Sequence, residues 1–142
     1  AYDILNADLL YASAVCHDIG KTKELSNFPD NDYTDIGQLV GHIVIGVEMI
    51  GEAIRTIPDF PEKLANEWKH CIVAHHGELE YGSPKKPALA EAVALNLADN
   101  ADAKMQTLKE IFKDKSGTDW LGYNRLFESN LRKTSLSEES KS

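Results

Sequence analysis

Cysteine is scarce in this chain. Cys16 and Cys71 are the only two in 142 residues, and their spacing is not that of a zinc knuckle. Each lies in an apolar, helix-like segment. They read as reduced, buried thiols of a cytoplasmic protein, with a disulfide between them the open alternative. Long hydrophobic runs are also lacking. None approaches the ~20 residues of a membrane span, and no secretory signal opens the chain, so no membrane partner is expected. A positive charge balance is lacking too. The formal net charge is −8, which does not advertise nucleic-acid binding over the whole surface. Bound divalent cations would offset part of that charge. A nucleic-acid substrate would be held weakly by this domain alone, with a second module supplying the backbone grip. The chain opens on Ala1-Tyr2-Asp3 with no initiator methionine, which reads as a processed product, an excised domain or a fragment.

Apolar residues make up 42% of the chain, enough for a core, and the length suits one compact domain. The periodicity is helical nearly throughout. Leu5, Leu9, Leu10, Ala14 and Val15 recur at three- and four-residue steps, predicting a helix over residues 3–17 that Gly20 stops. Asn, Asp and Pro make residues 25–37 a loop. A long helix is predicted over 38–57, carrying Val40, Ile43, Val47, Ile50 and Ile54. Pro58 and Pro61 punctuate the chain before a helix over 62–76. Residues 77–87 read as a second loop, and helices are predicted over 88–112 and 120–132. No segment shows strand alternation. The expected fold is all-α, one helical bundle of about five or six helices over 1–133, with a disordered tail over 134–142.

Five histidines occur: His17, His42, His70, His75 and His76. His17-Asp18 closes the first predicted helix, His42 opens the second, and His75-His76 closes the third. Asp99 lies deep in the fourth, within Leu95-Asn96-Leu97-Ala98-Asp99-Asn100-Ala101, where an unpaired carboxylate would be costly. Neutral imidazoles with a few carboxylates suit zinc, manganese, iron or cobalt. Ligands drawn from several helices to one centre are a common way to build a metal site in a bundle. His70 lies off this pattern and reads as structural, Trp68 as core or pocket lining, and Asp102 as a solvated carboxylate.

Cys16-His17-Asp18-Ile19-Gly20-Lys21, the later His42, the His75-His76-Gly77 run and the distant Asp99 together resemble the HD-domain metal-dependent phosphohydrolases. Three longer stretches narrow the resemblance to the HD domain of YhaM-type 3′→5′ exoribonucleases. They are Tyr33-Thr34-Asp35-Ile36-Gly37-Gln38-Leu39-Val40-Gly41-His42-Ile43, His75-His76-Gly77-Glu78-Leu79-Glu80-Tyr81-Gly82-Ser83-Pro84 and Ala98-Asp99-Asn100-Ala101-Asp102-Ala103-Lys104-Met105. The resemblance implies up to two divalent ions, manganese first and cobalt, iron or zinc as alternatives. His17, Asp18 and Asp99 would hold one ion, and His42, His75 and His76 the other, with Asp18 bridging. It also implies attack on phosphorus by a metal-activated water, a phosphate contact from Lys21, single-stranded RNA as substrate, and an N-terminal OB-type module in the parent protein. Lys85 and Lys86 would touch the nucleic-acid backbone or simply face solvent, while Glu78 and Glu80 would orient a ligand or water or be ordinary loop acids.

Such domains take a further histidine from an upstream helix. Only sixteen residues precede His17 and none is histidine, so one helix of the usual bundle and one ligand of the first ion are expected to be missing here. Two other functions stay open. One is an HD-type nucleotidase or small-nucleotide phosphodiesterase. Against its cyclic-dinucleotide branch, Tyr81-Gly82-Ser83-Pro84 stands where that branch has Gly-Tyr-Pro. The other is a non-catalytic, metal-binding fragment.

Overall fold

A computed structural model describes residues 3–113, 115 and 119–134. The expected tail lies outside the described residues except for Thr134. The chain divides into two compact units, Ala1–Ala101 and Asp102–Ser142.

The first unit is helical. Helix α1 spans Ala7–Cys16, and Asn6 caps it by accepting the Leu9 N–H at 3.1 Å. The Asn6 N–H in turn donates to Oε1 of the buried Glu91 at 2.6 Å. Short helices α2 (Lys21–Glu24) and α3 (Asp35–Leu39) follow. Thr34 caps α3 by accepting the Gly37 N–H at 3.0 Å, which turns the end of the predicted loop into a helical turn. Helix α4 spans His42–Arg55 and α5 spans Glu62–Val73. A 3-10 turn at Leu79–Tyr81 precedes α6, Ala90–Lys113. The long helix predicted over 38–57 is therefore two helices. Gly41 breaks it with φ +80° and ψ 155°, so His42 opens α4 with a backbone N–H that has no partner within the helix.

Helix α5 packs on both α1 and α4. Leu9, Cys71, Ala74, Ala92 and Leu95 form a buried cluster, with Leu10, Leu64, Trp68 and Leu89 against it. Ile43, Ile45, Ile50 and Ile72 are also buried. Both cysteines are free thiols.

In the second unit the structure corrects the helix predicted over 120–132. Strands β1 (Trp120–Asn124) and β2 (Ser129–Arg132) form an antiparallel hairpin instead. Trp120 and Tyr123 favour extended backbone, and Gly122, at φ +95°, sits where the pairing register shifts. Asn124 Oδ1 accepts the N–H groups of Leu126 and Phe127 at 2.9 and 3.4 Å, which holds the turn. The fold class is all-α as expected, with this hairpin its one small sheet among the described residues. No helix among them is long and apolar enough to cross a membrane.

Candidate metal centre

Four segments of the first unit bring the site together. His17 is the C-cap of α1, with Asp18 next in the turn that leads to α2. Gly20 controls how closely that turn approaches α4, because a Cβ there would stand 1.9 Å from the His42 carbonyl oxygen. Only glycine lets the His-Asp turn lie on the first residue of α4. His75 and His76 occupy the turn after α5. Gly77, at φ +81°, closes that turn against Asn96, whose side-chain nitrogen lies 2.5 Å from where a Cβ would be. The Asn96 amide donates to the His75 carbonyl at 2.9 Å. Asp99 lies three residues further along α6, on the same face.

Asp18 is the hub. Its Oδ2 lies 3.4 Å from His17 Nε2 and 2.8 Å from the Lys21 ammonium. Its Oδ1 lies 3.6 Å from His42 Nε2 and 3.7 Å from His75 Nε2. Asp99 Oδ1 faces His17 Nε2 at 3.5 Å. One ring nitrogen from each of His42, His75 and His76 falls within 4.8 Å of the others, and the His75 and His76 rings meet edge to face at 4.2 Å. His75 is wholly buried, whereas the Asp18 and Asp99 side chains are about a third exposed, at 35% and 36%. A cleft of about 260 Å³ lined by Gly41, His42, Ile43, His76, Tyr81 and Gly82 opens beside the histidines.

The hydrogen bonds around the rings test whether these residues fit a cation. His17 Nδ1 lies 2.7 Å from the Ala14 carbonyl, His75 Nδ1 2.6 Å from that of Ile72, and His76 Nδ1 2.8 Å from that of Tyr81. His42 Nδ1 lies 3.3 Å from a Glu24 carboxylate oxygen. Carbonyls and carboxylates only accept, so each Nδ1 carries the proton and each Nε2 presents a lone pair. His42 Nε2, His75 Nε2 and Asp18 Oδ1 are all buried without a hydrogen-bond partner. Three unpartnered acceptors facing one another are costly when buried, and a cation among them removes the cost. The protonation states agree. Burial pushes the His75 pKa down to about 4, aided by His76 and His17 and opposed by the Ile72 carbonyl and Asp18, which keeps the ring neutral. Burial alone would raise the Asp18 carboxyl, but the hydrogen bond from Lys21 and its positive charge outweigh it and hold the pKa below its usual value. The residues fit a divalent metal.

The HD-domain family matches residues 2–104 of the chain. The chain belongs to the HD-domain family. It is 45% identical over 107 residues to the 3′-5′ exoribonuclease YhaM of Halalkalibacterium halodurans, an overlap covering 75% of this chain and 33% of that protein. With the YhaM of Bacillus subtilis it shares 44% over 108 residues, 75% of this chain and 34% of that protein. The chain thus spans about a third of the length of these relatives. No solved structure matches it.

The HD domain brings His17, Asp18, His42, His75, His76 and Asp99 together, with Lys21 half exposed beside them. Among the described residues, no hydrogen bond or ion pair joins Lys85 or Lys86 to this cluster. Lys86 instead pairs with Glu78 at 2.8 Å, and Lys85 is exposed. Glu80 is exposed as well. His70 is structural, its Nε2 accepting the Ala88 N–H at 2.9 Å. Trp68 lies against Phe60 at the edge of a separate apolar cavity. Three contributors escape sequence reading. Glu24 looks like any acid before a polar loop. The Tyr81 carbonyl is backbone and leaves no sequence signal. Asn96 does carry one, since it precedes Asp99 by three residues on a helix.

Proposed function

We propose that this HD domain is a metal-dependent phosphodiesterase, the catalytic part of a 3′→5′ exoribonuclease acting on single-stranded RNA. The observation that carries the reading is the sharing of Asp18, whose two carboxylate oxygens face different histidine groups. In this assignment His17, Asp18 and Asp99 would hold one divalent ion, and His42, His75 and His76 the other, with Asp18 shared. Manganese is the assigned metal, with cobalt, iron and zinc as alternatives that the same donors accept. A bound divalent metal supplies Lewis-acid charge at phosphorus and a water of lowered pKa. The chain's own residues do the rest. His75 and His42, fixed in one tautomer by their Nδ1 partners, keep their lone pairs aimed into the site. Lys21, placed by Asp18, meets the phosphate and offsets charge that develops on its oxygens.

The similarity to two YhaM exoribonucleases over three quarters of the chain supports RNA as the substrate. With a net charge of −8, the domain needs help to hold a polyanion. We assign that grip to an OB-type module in the parent protein, with Lys85 and Lys86 as auxiliary backbone contacts. The two free thiols suit the cytoplasm. A 5′-labelled oligoribonucleotide incubated with manganese-loaded protein is expected to shorten from its 3′ end, with Asp18→Ala inactive. Cleavage of free nucleotides with no effect on RNA would replace this reading with a nucleotidase. Metal uptake without turnover on either substrate would leave a binding domain.

A further inference from the structure

Glu24 ends α2 and is only 8% exposed, yet no lysine or arginine among the described residues pairs with it. Its Oε1 accepts the backbone N–H of His42 at 3.1 Å and faces the His42 ring Nδ1 at 3.3 Å. The first of these is an N–H at the start of α4, one of those a helix leaves without an intrahelical partner. The second fixes the ring proton on Nδ1 and leaves Nε2 for the metal side.

The backbone around Glu24 is clamped. The Thr34 N–H and hydroxyl both donate to the Glu24 carbonyl, at 2.9 and 3.1 Å, and the hydroxyl also lies 2.7 Å from the Lys23 carbonyl. Gly37 comes so close that a Cβ there would stand 2.2 Å from the Glu24 carbonyl oxygen. The carboxylate is thus delivered to His42 by two short helices braced against each other. The other three clustered histidines lean on neutral backbone carbonyls, of Ala14, Ile72 and Tyr81. Among these four rings, only that of His42 has a charged group at its Nδ1.

We propose that Glu24 is the positioning residue of the metal centre. It caps α4, locks His42 as the Nδ1–H tautomer with Nε2 toward Asp18, and balances the charge that imidazole gains when its lone pair is drawn to a cation. The proposal rests on the metal reading above and adds to it the residue that sets the affinity of the His42 side. An anionic partner makes an imidazole a stronger donor, and loss of such partners typically costs 10–100-fold in metal affinity.

The test uses the full chain as Glu24→Gln and Glu24→Ala, with manganese binding measured by calorimetry and the His42 tautomer read from ring 15N shifts in metal-free protein. Glu24→Gln keeps an acceptor and loses the charge. It is expected to keep the Nδ1–H tautomer while binding manganese about 10-fold more weakly. Glu24→Ala loses both and is expected to show mixed tautomers and a loss nearer 100-fold. Wild-type affinity in both variants, or an unchanged tautomer in Glu24→Ala, overturns the proposal. If Glu24→Ala does not fold, the affinity of Glu24→Gln decides alone. If the wild type binds no manganese, the metal reading falls, and the tautomer in metal-free Glu24→Ala still judges whether Glu24 holds His42.

Discussion

His75 Nε2 and Asp18 Oδ1 stand 3.7 Å apart, both buried, and neither has a hydrogen-bond donor. Two acceptors aimed at each other hold stored cost in the metal-free protein, and a cation relieves it. Because such a cation binds the folded state alone, manganese at about 100 times its dissociation constant is expected to add ~2.7 kcal/mol to stability. Thermal melts across a manganese titration check this. Asp18→Ala should melt at one temperature with or without the metal, and a retained shift would place the ion elsewhere.

The donor sets on the two sides of Asp18 are unequal. His42, His75 and His76 with Asp18 offer four protein donors, while His17 and Asp99 with Asp18 offer three. Uptake by this chain is therefore expected in two steps, the histidine-rich side filling first. Calorimetry with His76→Ala should abolish the tight step, and with Asp99→Ala only the weak one. Loss of both steps in Asp99→Ala would mean that the two sides are not separable.

Gly20 and Gly41 make a paired test of packing against backbone strain. A Cβ at Gly20 would stand 1.9 Å from the His42 carbonyl oxygen, and 2.8 Å from the Gly46 nitrogen. Both neighbours are backbone and cannot step aside. Gly20→Ala is expected to cost about 3 kcal/mol, as severe overpacking does, and to weaken metal binding by pushing the His-Asp turn away from α4. Gly41→Ala meets nothing within 4 Å, but holds φ at +80°. Its cost is conformational only, about 1–3 kcal/mol, because φ +80° with ψ 155° is a region essentially kept to glycine. Denaturant unfolding of both variants measures the costs, and a Gly20→Ala loss well under about 1 kcal/mol would contradict the close-approach account.

Much of the site is legible in the sequence because the ligands sit at helix ends. His17-Asp18 before Gly20 and His75-His76 before Gly77 each mark a turn, and each glycine is there for the approach of another backbone or side chain. What the sequence hides is the support. Glu24 acquires its role only when Thr34 and Gly37 fold α3 back on it. The break at Gly41 is hidden because Val40 and Ile43 continue the apolar spacing through it. The hairpin at Trp120–Arg132 is hidden for another reason. Its two short strands, WLGYN and SNLR, carry no clean apolar alternation, and the turn that Asn124 holds decides the conformation.

His70 predicts a pH dependence away from the metal ligands. Burial lowers its pKa from the ordinary imidazole value, and its Nε2 accepts a hydrogen bond from the Ala88 N–H, a bond the protonated ring cannot make. The folded chain therefore binds a proton at His70 less readily than the unfolded chain does. Its contribution to stability is complete above pH ~6.5, the unfolded value, and is lost as pH falls toward the lower folded value. His70→Gln keeps an acceptor and removes the titration. The difference in stability between wild type and variant is expected to shrink or reverse as pH drops from 7.5 to about 5, and urea melts at each pH measure it. A difference constant with pH would mean that His70 stays neutral for another reason.

Lys21 separates catalysis from stability. Its ammonium meets Asp18 at 2.8 Å but is 48% exposed, so the ion pair is screened and contributes about 0–1 kcal/mol to the fold. On the proposed reading the same ammonium faces phosphate oxygens as charge develops, where loss of one such donor costs 10²–10³ in kcat. Lys21→Ala should therefore melt within a few degrees of wild type, bind manganese comparably, and lose two to three orders of magnitude in RNA cleavage. A variant that keeps its rate would return Lys21 to the solvated surface. A variant that loses metal as well as rate would show that its work is to hold the Asp18 carboxylate rather than to meet the substrate.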